Sequence, residues 1–402
     1  MIEVIDRVLQ WRSQRKRFAL ATVVAVEGSG PREPGALMAV SEEGEVAGSV
    51  SGGCVEGAVV AEALARLGAP EPVLQTFGLL GSSPTELATT LAFGFSDDEA
   101  LAVGLTCGGT FHILVQPRPP EYLDRLADAL HQGSPCVIAT VYAASEDKDS
   151  YFADENRGVK LPEVGASMLI LEDEVVGTLG NADLDRVVAR DAAGVLTQAQ
   201  GTRRTYGRRG QSRSQEVSVV MAVSARPARM LIFGAVDFSD ALSQAAKLLG
   251  YRVIVVDARA VFVTKERFPT ADEVHVAWPN DYLTQWGATF VERDAICILT
   301  HDPKFDVPAI RASLTTNAGY IGVMGSRRTQ QDRLARLVAE GVAPEEVERR
   351  VSGPIGLDIG ARTPAETAVS ILAEIIARRE HRGASPLSMT EGPIHSEGAL
   401  TW

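Results

Sequence analysis

The sequence predicts an α/β protein with an N-terminal α+β domain carrying a weak internal repeat. A C-terminal Rossmann-like domain, a doubly wound parallel sheet, follows it. Three observations point there. GALMAVSEEGEVAGSVSGGCVEGAV from Gly35 aligns, after one deletion in the turn, with GASMLILEDEVVGTLGNADLDRVV from Gly165, the mark of a duplicated unit. RMLIFG from Arg229, a helical stretch to Leu249, Gly250 and RVIVV ending in Asp257 spell a βαβ unit closed by an acid. Three further short apolar runs, Glu273–Val276, Ala295–Leu299 and Tyr320–Val323, then recur between polar helical stretches.

Totals bound the function. A chain of 402 residues makes two or three domains, and 45% apolar content lets each bury a core. A formal net charge of −13 argues against the basic footprint that nucleic-acid binding wants. No run of about 18 apolar residues is present, so no membrane span is expected. The N-terminus mixes acids and bases without an apolar core, unlike a signal peptide. Four cysteines, Cys54, Cys107, Cys136 and Cys297, are widely spaced, which fits a reducing cytoplasm and gives no zinc pattern.

In order, Ile2, Ile5, Val8 and Leu9 mark one side of a first helix. Phe18–Val26, Gly35–Val40 and Glu45–Val50 read as strands, the last two joined by the polar turn Ser41–Gly44. A helix follows Cys54 and stops at Gly68. Pro72–Phe77 reads as a strand, Ser82–Asp98 as irregular, and Leu105–Val115 opens an alternating strand. In the repeat, Gly35, Met38 and Gly48 match Gly165, Met168 and Gly177, and Ala21-Thr22-Val23 matches Ala139-Thr140-Val141. The second copy spans about 135–223 of a domain covering 1–225. Ser145–Pro162 reads as a mobile surface loop and Gly201–Ser214 as a basic hairpin turn. The Rossmann-like domain covers 228–382, its last helix capped by Thr363. A flexible tail covers 383–402.

The chemistry gathers at two places. The first is Ser51-Gly52-Gly53-Cys54-Val55-Glu56, a cysteine on a glycine turn at a helix start. A helix N-terminus favours the thiolate. Cys107, followed by Gly108 and Gly109, is a second thiol in a backbone-accessible setting and is expected to line the same pocket. Arg32, in a Gly/Pro loop, suits a carboxylate or phosphate. The second copy replaces Gly52-Gly53-Cys54 with Asn181-Ala182-Asp183. Loss of the thiol beside retained scaffold glycines favours a chemical role for Cys54.

The second place is the carboxyl edge of the parallel sheet, where such folds bind ligands. There the sequence sets Gly234, Asp257, Thr300-His301-Asp302, Gly325-Ser326-Arg327-Arg328, and a loop holding Gly360 and Arg362. Glycines and arginines on one edge suit an anionic, phosphate-bearing ligand. The fingerprint G-x-G-x-x-G retains only Gly234. Val236 and Asp237 break it where a pyrophosphate would sit, which argues against NAD(P).

GSGPREPGALM with GSVSGGCVEGAV, LTCGGTFHILVQP, YIGVMGSRRT and GPIGLDIGARTPAETAVSILAEIIARR, in that order, resemble the xanthine dehydrogenase accessory factor family (XdhC/CoxI) over about Met1–Arg382. The usual glycine and histidine of the family stand at neither Val236 nor Asp237. The resemblance implies a cytoplasmic maturation factor that binds the molybdenum cofactor (molybdopterin), carried and not used, and holds it for sulfuration. It then delivers the cofactor to an apo molybdenum hydroxylase of the xanthine or carbon monoxide dehydrogenase type. A cysteine desulfurase is the implied sulfur source, and a homodimer the expected assembly. On this reading Cys54 and Cys107 are the candidate thiols, and Cys54 is the candidate contact to cofactor molybdenum. Arg32, Ser51, Gly52, Gly53, Glu56, Gly108 and Gly109, with the Rossmann-edge residues, shape the cofactor site, in a cleft expected between the domains. The first alternative is a nucleotide-dependent oxidoreductase using the Rossmann domain and a redox-active Cys54. The second is a scaffold that only docks a desulfurase and its target.

Overall fold

The computed structural model describes residues 1–27, 34–53, 55–79, 83–93, 110–146, 156, 158–199 and 201–391. The chain divides into two compact units, one spanning Met1–Arg226 and one spanning Pro227–Glu391. The fold class is the one the sequence predicts.

The first unit holds two five-stranded antiparallel sheets of matching order. Strands β1 (Phe18–Glu27), β2 (Leu37–Ser41), β3 (Val46–Gly48), β4 (Thr89–Phe93) and β5 (Thr110–Gln116) run β3-β2-β1-β5-β4. Strands β6 (Cys136–Ala144), β7 (Ser167–Ile170), β8 (Val175–Thr178), β9 (Thr202–Tyr206) and β10 (Val217–Ser224) run β8-β7-β6-β10-β9. The registers agree residue by residue with the aligned repeat. Ala21 pairs with Met38 and Met38 with Gly48; Ala139 pairs with Met168 and Met168 with Gly177. Gly48 and Gly177 have φ of +82° and +93°. A side chain at either would lie 2.3 or 2.7 Å from the carbonyl oxygen of Leu37 or Ser167. Only glycine meets both demands, so it stands in both copies.

The two sheets pack on each other in a crosswise way. Gly35 of the first copy abuts Ala222 of β10, and Gly165 of the second abuts Ala88 while its carbonyl accepts from the Gln116 amide of β5 at 3.0 Å. Val24, Leu114 and Val220 form a small buried cluster. Each sheet also covers a helix, α2 (Glu56–Leu67) on the first and α5 (Ala182–Gln198) on the second, with α3 (Glu71–Thr76) after α2. Helices α1 (Ile2–Ser13) and α4 (Leu123–His131) close one further core around Trp11, Phe18 and Leu169.

Several local expectations are corrected. Pro72–Phe77 is not a strand: Pro70 and Pro72 with Glu71 start α3, where proline fits the first turn. Ser82–Asp98 is not wholly irregular, because TTLAF forms β4 on the sheet edge. In α1 the buried side is Val4, Ile5, Val8 and Trp11, and Ile2 is exposed. Gly201–Ser214 contains β9. Its half-buried Arg208 donates to buried Glu216 through Nε at 3.0 Å, and Asn156 also donates to Glu216 at 2.8 Å. The loop expected over Ser145–Pro162 is therefore anchored at Asn156. Within the expected tail, Leu387–Met389 forms a 3₁₀ turn, and 392–402 lies outside the described residues.

The second unit is a six-stranded parallel sheet. Its strands are β11 (Arg229–Phe233), β12 (Arg252–Asp257), β13 (Glu273–Val276), β14 (Ala295–Ile298), β15 (Tyr320–Val323) and β16 (Val351–Ser352), in the order β13-β12-β11-β14-β15-β16. That is the doubly wound 3-2-1-4-5-6 order. Alternation in β11 sends Met230 and Ile232 to one face and Leu231 and Phe233 to the other. Helices α6 (Asp237–Leu248) and α11 (Pro364–Arg379) cover the first face. Helices α7 (Pro279–Trp286), α8 (Pro303–Leu314), α9 (Arg327–Ala339) and α10 (Pro344–Arg350) cover the second. Thr363 caps α11 in a capping box with Glu366.

Candidate functional site

In the first unit the candidate site is the turn before α2. Arg32, Cys54, Cys107, Gly108 and Gly109 lie outside the described residues. What surrounds Cys54 in sequence is well built. Ser51 is buried, Gly52 and Gly53 are exposed, and Val55 is buried. The Glu56 carboxylate folds back over the turn. It accepts from the Ser49 hydroxyl at 2.7 Å, the Ser51 N–H at 2.9 Å, the Ser51 hydroxyl, the Gly52 N–H at 2.9 Å and the Gly53 N–H at 2.8 Å. Burial pushes this carboxyl up, but the Ser51 and Ser49 hydrogen bonds outweigh it and bring it down to about 2. Glu56 is thus the anion at this glycine turn, supplied by the chain itself.

The second copy keeps the clamp and loses the thiol. The Thr178 hydroxyl donates to Asp185 at 2.6 Å, as Ser49 does to Glu56, each across seven residues. The Leu179 N–H donates to Asp185 at 2.7 Å, and Asn181 caps α5. The carboxylate therefore belongs to the scaffold of both copies, and the cysteine to one.

The remaining cysteines are not poised for chemistry. Cys136 and Cys297 are fully buried, and desolvation pushes the Cys136 thiol up to about 11 and that of Cys297 well above its ordinary value. No cluster of three metal-ligating side chains occurs among the described residues.

In the second unit the carboxyl edge of the sheet brings a subset of the expected residues together. Gly234 ends β11 with φ +107°, and a side chain there would lie 2.9 Å from the Thr300 methyl. Thr300 is buried and donates to Asp306, which also accepts from Arg333 Nε at 2.9 Å. Arg333 in turn lies beneath Gly325, where a side chain would stand 2.8 Å from its Nη1. One buried line thus joins the ends of β11, β14 and β15. Asp306 and Arg333 are 0% and 1% exposed.

Asp257 at the end of β12 is also buried. It accepts from the Ala235 N–H at 2.8 Å and from Arg259 Nε at 2.9 Å. Burial raises its pKa, and the Arg259 guanidinium and these N–H groups outweigh that and hold it below its ordinary value. Asp302 is the N-cap of α8 and pairs with Lys304 at 3.0 Å; His301 is exposed. Ser326 caps α9, with Arg327 and Arg328 exposed on its first turn. Arg327 reaches Asp358 of the neighbouring loop at 3.9 Å. Gly360 and the Arg362 side chain are exposed, and the Arg362 N–H donates to Glu366 at 2.8 Å.

Sequence reasoning missed Asp306, Arg333 and Glu374. Glu374 accepts from the Tyr320 hydroxyl at 2.6 Å and the Gly356 N–H at 2.7 Å, and so fixes the 356 loop. A signal existed for Arg333: with Ser326, Gln330 and Leu337 it repeats at helical spacing on one stripe of α9.

A parallel sheet of this order, joined in one chain to paired antiparallel sheets, defines a two-part α/β protein with a glycine-turn cysteine motif. Two family models match it: XdhC Rossmann domain over residues 230–375, and XdhC and CoxI family over 11–78 and 156–207. The chain belongs to the XdhC family. It is similar to a Bacillus subtilis protein named as a probable xanthine dehydrogenase component, 27% identical over 94% of this chain and 97% of that one. It is also similar to the molybdenum cofactor insertion chaperone PaoD of Escherichia coli, 24% identical over 91% of this chain and 85% of that one. Among solved structures, a Bacillus halodurans protein described as a xanthine dehydrogenase superposes with a TM-score of 0.62. It covers 96% of this chain and 99% of its own at 24% identity, and supports the fold. Among the described residues, no helix is long and apolar enough to cross a membrane.

Proposed function

We propose that this chain is a maturation factor for a molybdenum hydroxylase. It binds the molybdenum cofactor as cargo, holds it for sulfuration and hands it to the apo-enzyme. The observation that carries the reading is similarity along most of both chains to a relative named a molybdenum cofactor insertion chaperone, within a shared family. The asymmetric repeat supports it: a clamped turn in both copies, with a soft thiol, Cys54, in one.

Dinucleotide use by the Rossmann-like unit itself fits less well. The Ala235 N–H, in the loop that would face a pyrophosphate, is bonded to Asp257, and Asp257 is bonded to Arg259 rather than open to a ribose. Val236 replaces the second glycine of the fingerprint, and Asp237 puts a negative charge at the helix start.

The test is anaerobic binding of molybdopterin to wild type and Cys54→Ala, with pterin and molybdenum quantified. Tight binding weakened about tenfold or more in the variant is the expected result. Equal binding by both keeps the carrier and removes the thiol from it. No binding by either rejects the reading.

A further inference from the structure

The N-terminal end of α9 holds a donor with no acceptor. Arg333 sits on the second turn of this 13-residue helix, and its side chain runs back toward the helix start. Its guanidinium is almost fully enclosed. Nε and Nη2 are satisfied by Asp306, but Nη1 is buried with no hydrogen-bond partner. Nη1 lies under Gly325, the residue before the Ser326 cap, and Thr329 borders the same spot. A buried N–H donor without an acceptor loses its hydration with nothing in return. Such a group is retained where something else supplies the acceptor.

Three further features at the same point favour an anion. The Thr329 N–H donates to the Ser326 hydroxyl at 3.1 Å, the N–H groups of Arg327 and Arg328 before it have no acceptor within the helix, and the helix start is electropositive. The first-turn side chains are Arg327 and Arg328, with no acid in that turn. Ser326 and Thr329 hydroxyls lie 2.8 Å apart at the rim. The opposing charge is Asp358 on the facing loop, 3.9 Å from Arg327, and both of those side chains are nearly fully exposed. Gly325, with φ +150°, leaves the backbone bare where Nη1 approaches it.

We propose that Gly325, Ser326, the first turn of α9 and buried Arg333 form a binding site for a phosphate group, a monoester or the end of a diphosphate. Arg333 acts from below, and the helix N–H groups with Arg327 and Arg328 act from the rim. As a subsite for cargo, this rests on the maturation-factor reading; as a phosphate site, it stands without it.

The experiment uses the full chain and two probes, inorganic phosphate followed by ³¹P NMR, and molybdopterin. The variants are Gly325→Ala, which drives a methyl against Nη1, and Arg327→Glu/Arg328→Glu, which changes only exposed side chains. Circular dichroism checks folding. Wild type is expected to bind phosphate, and each variant to weaken it at least tenfold with the fold intact. If phosphate competes with molybdopterin and the same variants weaken both, the site takes the phosphate of the cargo. If the variants weaken phosphate alone, the site stands with another phosphate source and the cargo subsite is rejected. Absence of phosphate binding by wild type, or unchanged binding in Arg327→Glu/Arg328→Glu, overturns the site. Molybdopterin binding that persists in that case leaves the carrier function standing.

Discussion

Glu56 governs the thiol-bearing turn through charge it supplies itself. Because its carboxyl is lowered from an ordinary 4.5 to about 2, the clamp contributes stability that is fully present above about pH 5 and lost as pH falls through 2. The group is partly exposed, so screening reduces the effect. Glu56→Gln is expected to cost roughly 2 kcal/mol at neutral pH. It should also flatten the acid limb of the stability profile between pH 5 and 2. Urea denaturation across that range checks this, and an unchanged limb would show that the turn is held by something else. The run from Ser51 to Glu56 was legible in the sequence as a glycine turn at a helix start. That the glutamate would commit both oxygens to the turn was not, because it depends on the chain folding back on itself. Arg333 was hidden for a related reason: a charged residue on a helix reads as solvated until its partner, Asp306 on another helix, is placed beside it.

At the scale of elements, the repeat was the most readable feature. Gly48 and Gly177 recur because each strand pair needs the same positive φ beside the same carbonyl, so their spacing survives divergence. Gly177→Ala is therefore expected to destabilise the protein by about 2 kcal/mol. Gly133→Ala, with positive φ but open space around it, should cost about 1 kcal/mol. Thermal melts of the two variants decide; equal losses would mean that φ alone matters and the Ser167 carbonyl does not. Edge elements were the least readable. Both β4 and β9 sit at sheet edges, where polar and charged residues such as Arg203 and Arg204 belong and mask strand propensity. Helix α3 was misread because a short run with β-branched Val73 and aromatic Phe77 resembles a strand in composition, although Val73, Leu74 and Phe77 stand at helical spacing and the prolines fit a helix's first turn.

For the whole molecule, the parallel sheet was visible because buried strands on both faces give continuous apolar runs. Each unit has its own core clusters, those of Pro227–Glu391 built around both faces of its sheet. Expressed separately, 1–226 and 227–391 are expected to be folded, each with a single cooperative transition. Broad, non-cooperative melting of either fragment would reject independent folding.

One consequence of the Glu56 clamp concerns timing. A carrier returns to its empty form after every delivery, and an empty site that collapses must be rebuilt before the next round. Here the turn is shaped by an internal carboxylate. On the proposed carrier function, loading and unloading would leave the local backbone in the same geometry, and the speed of handover would be set by contacts to the cargo and the recipient rather than by refolding of the donor.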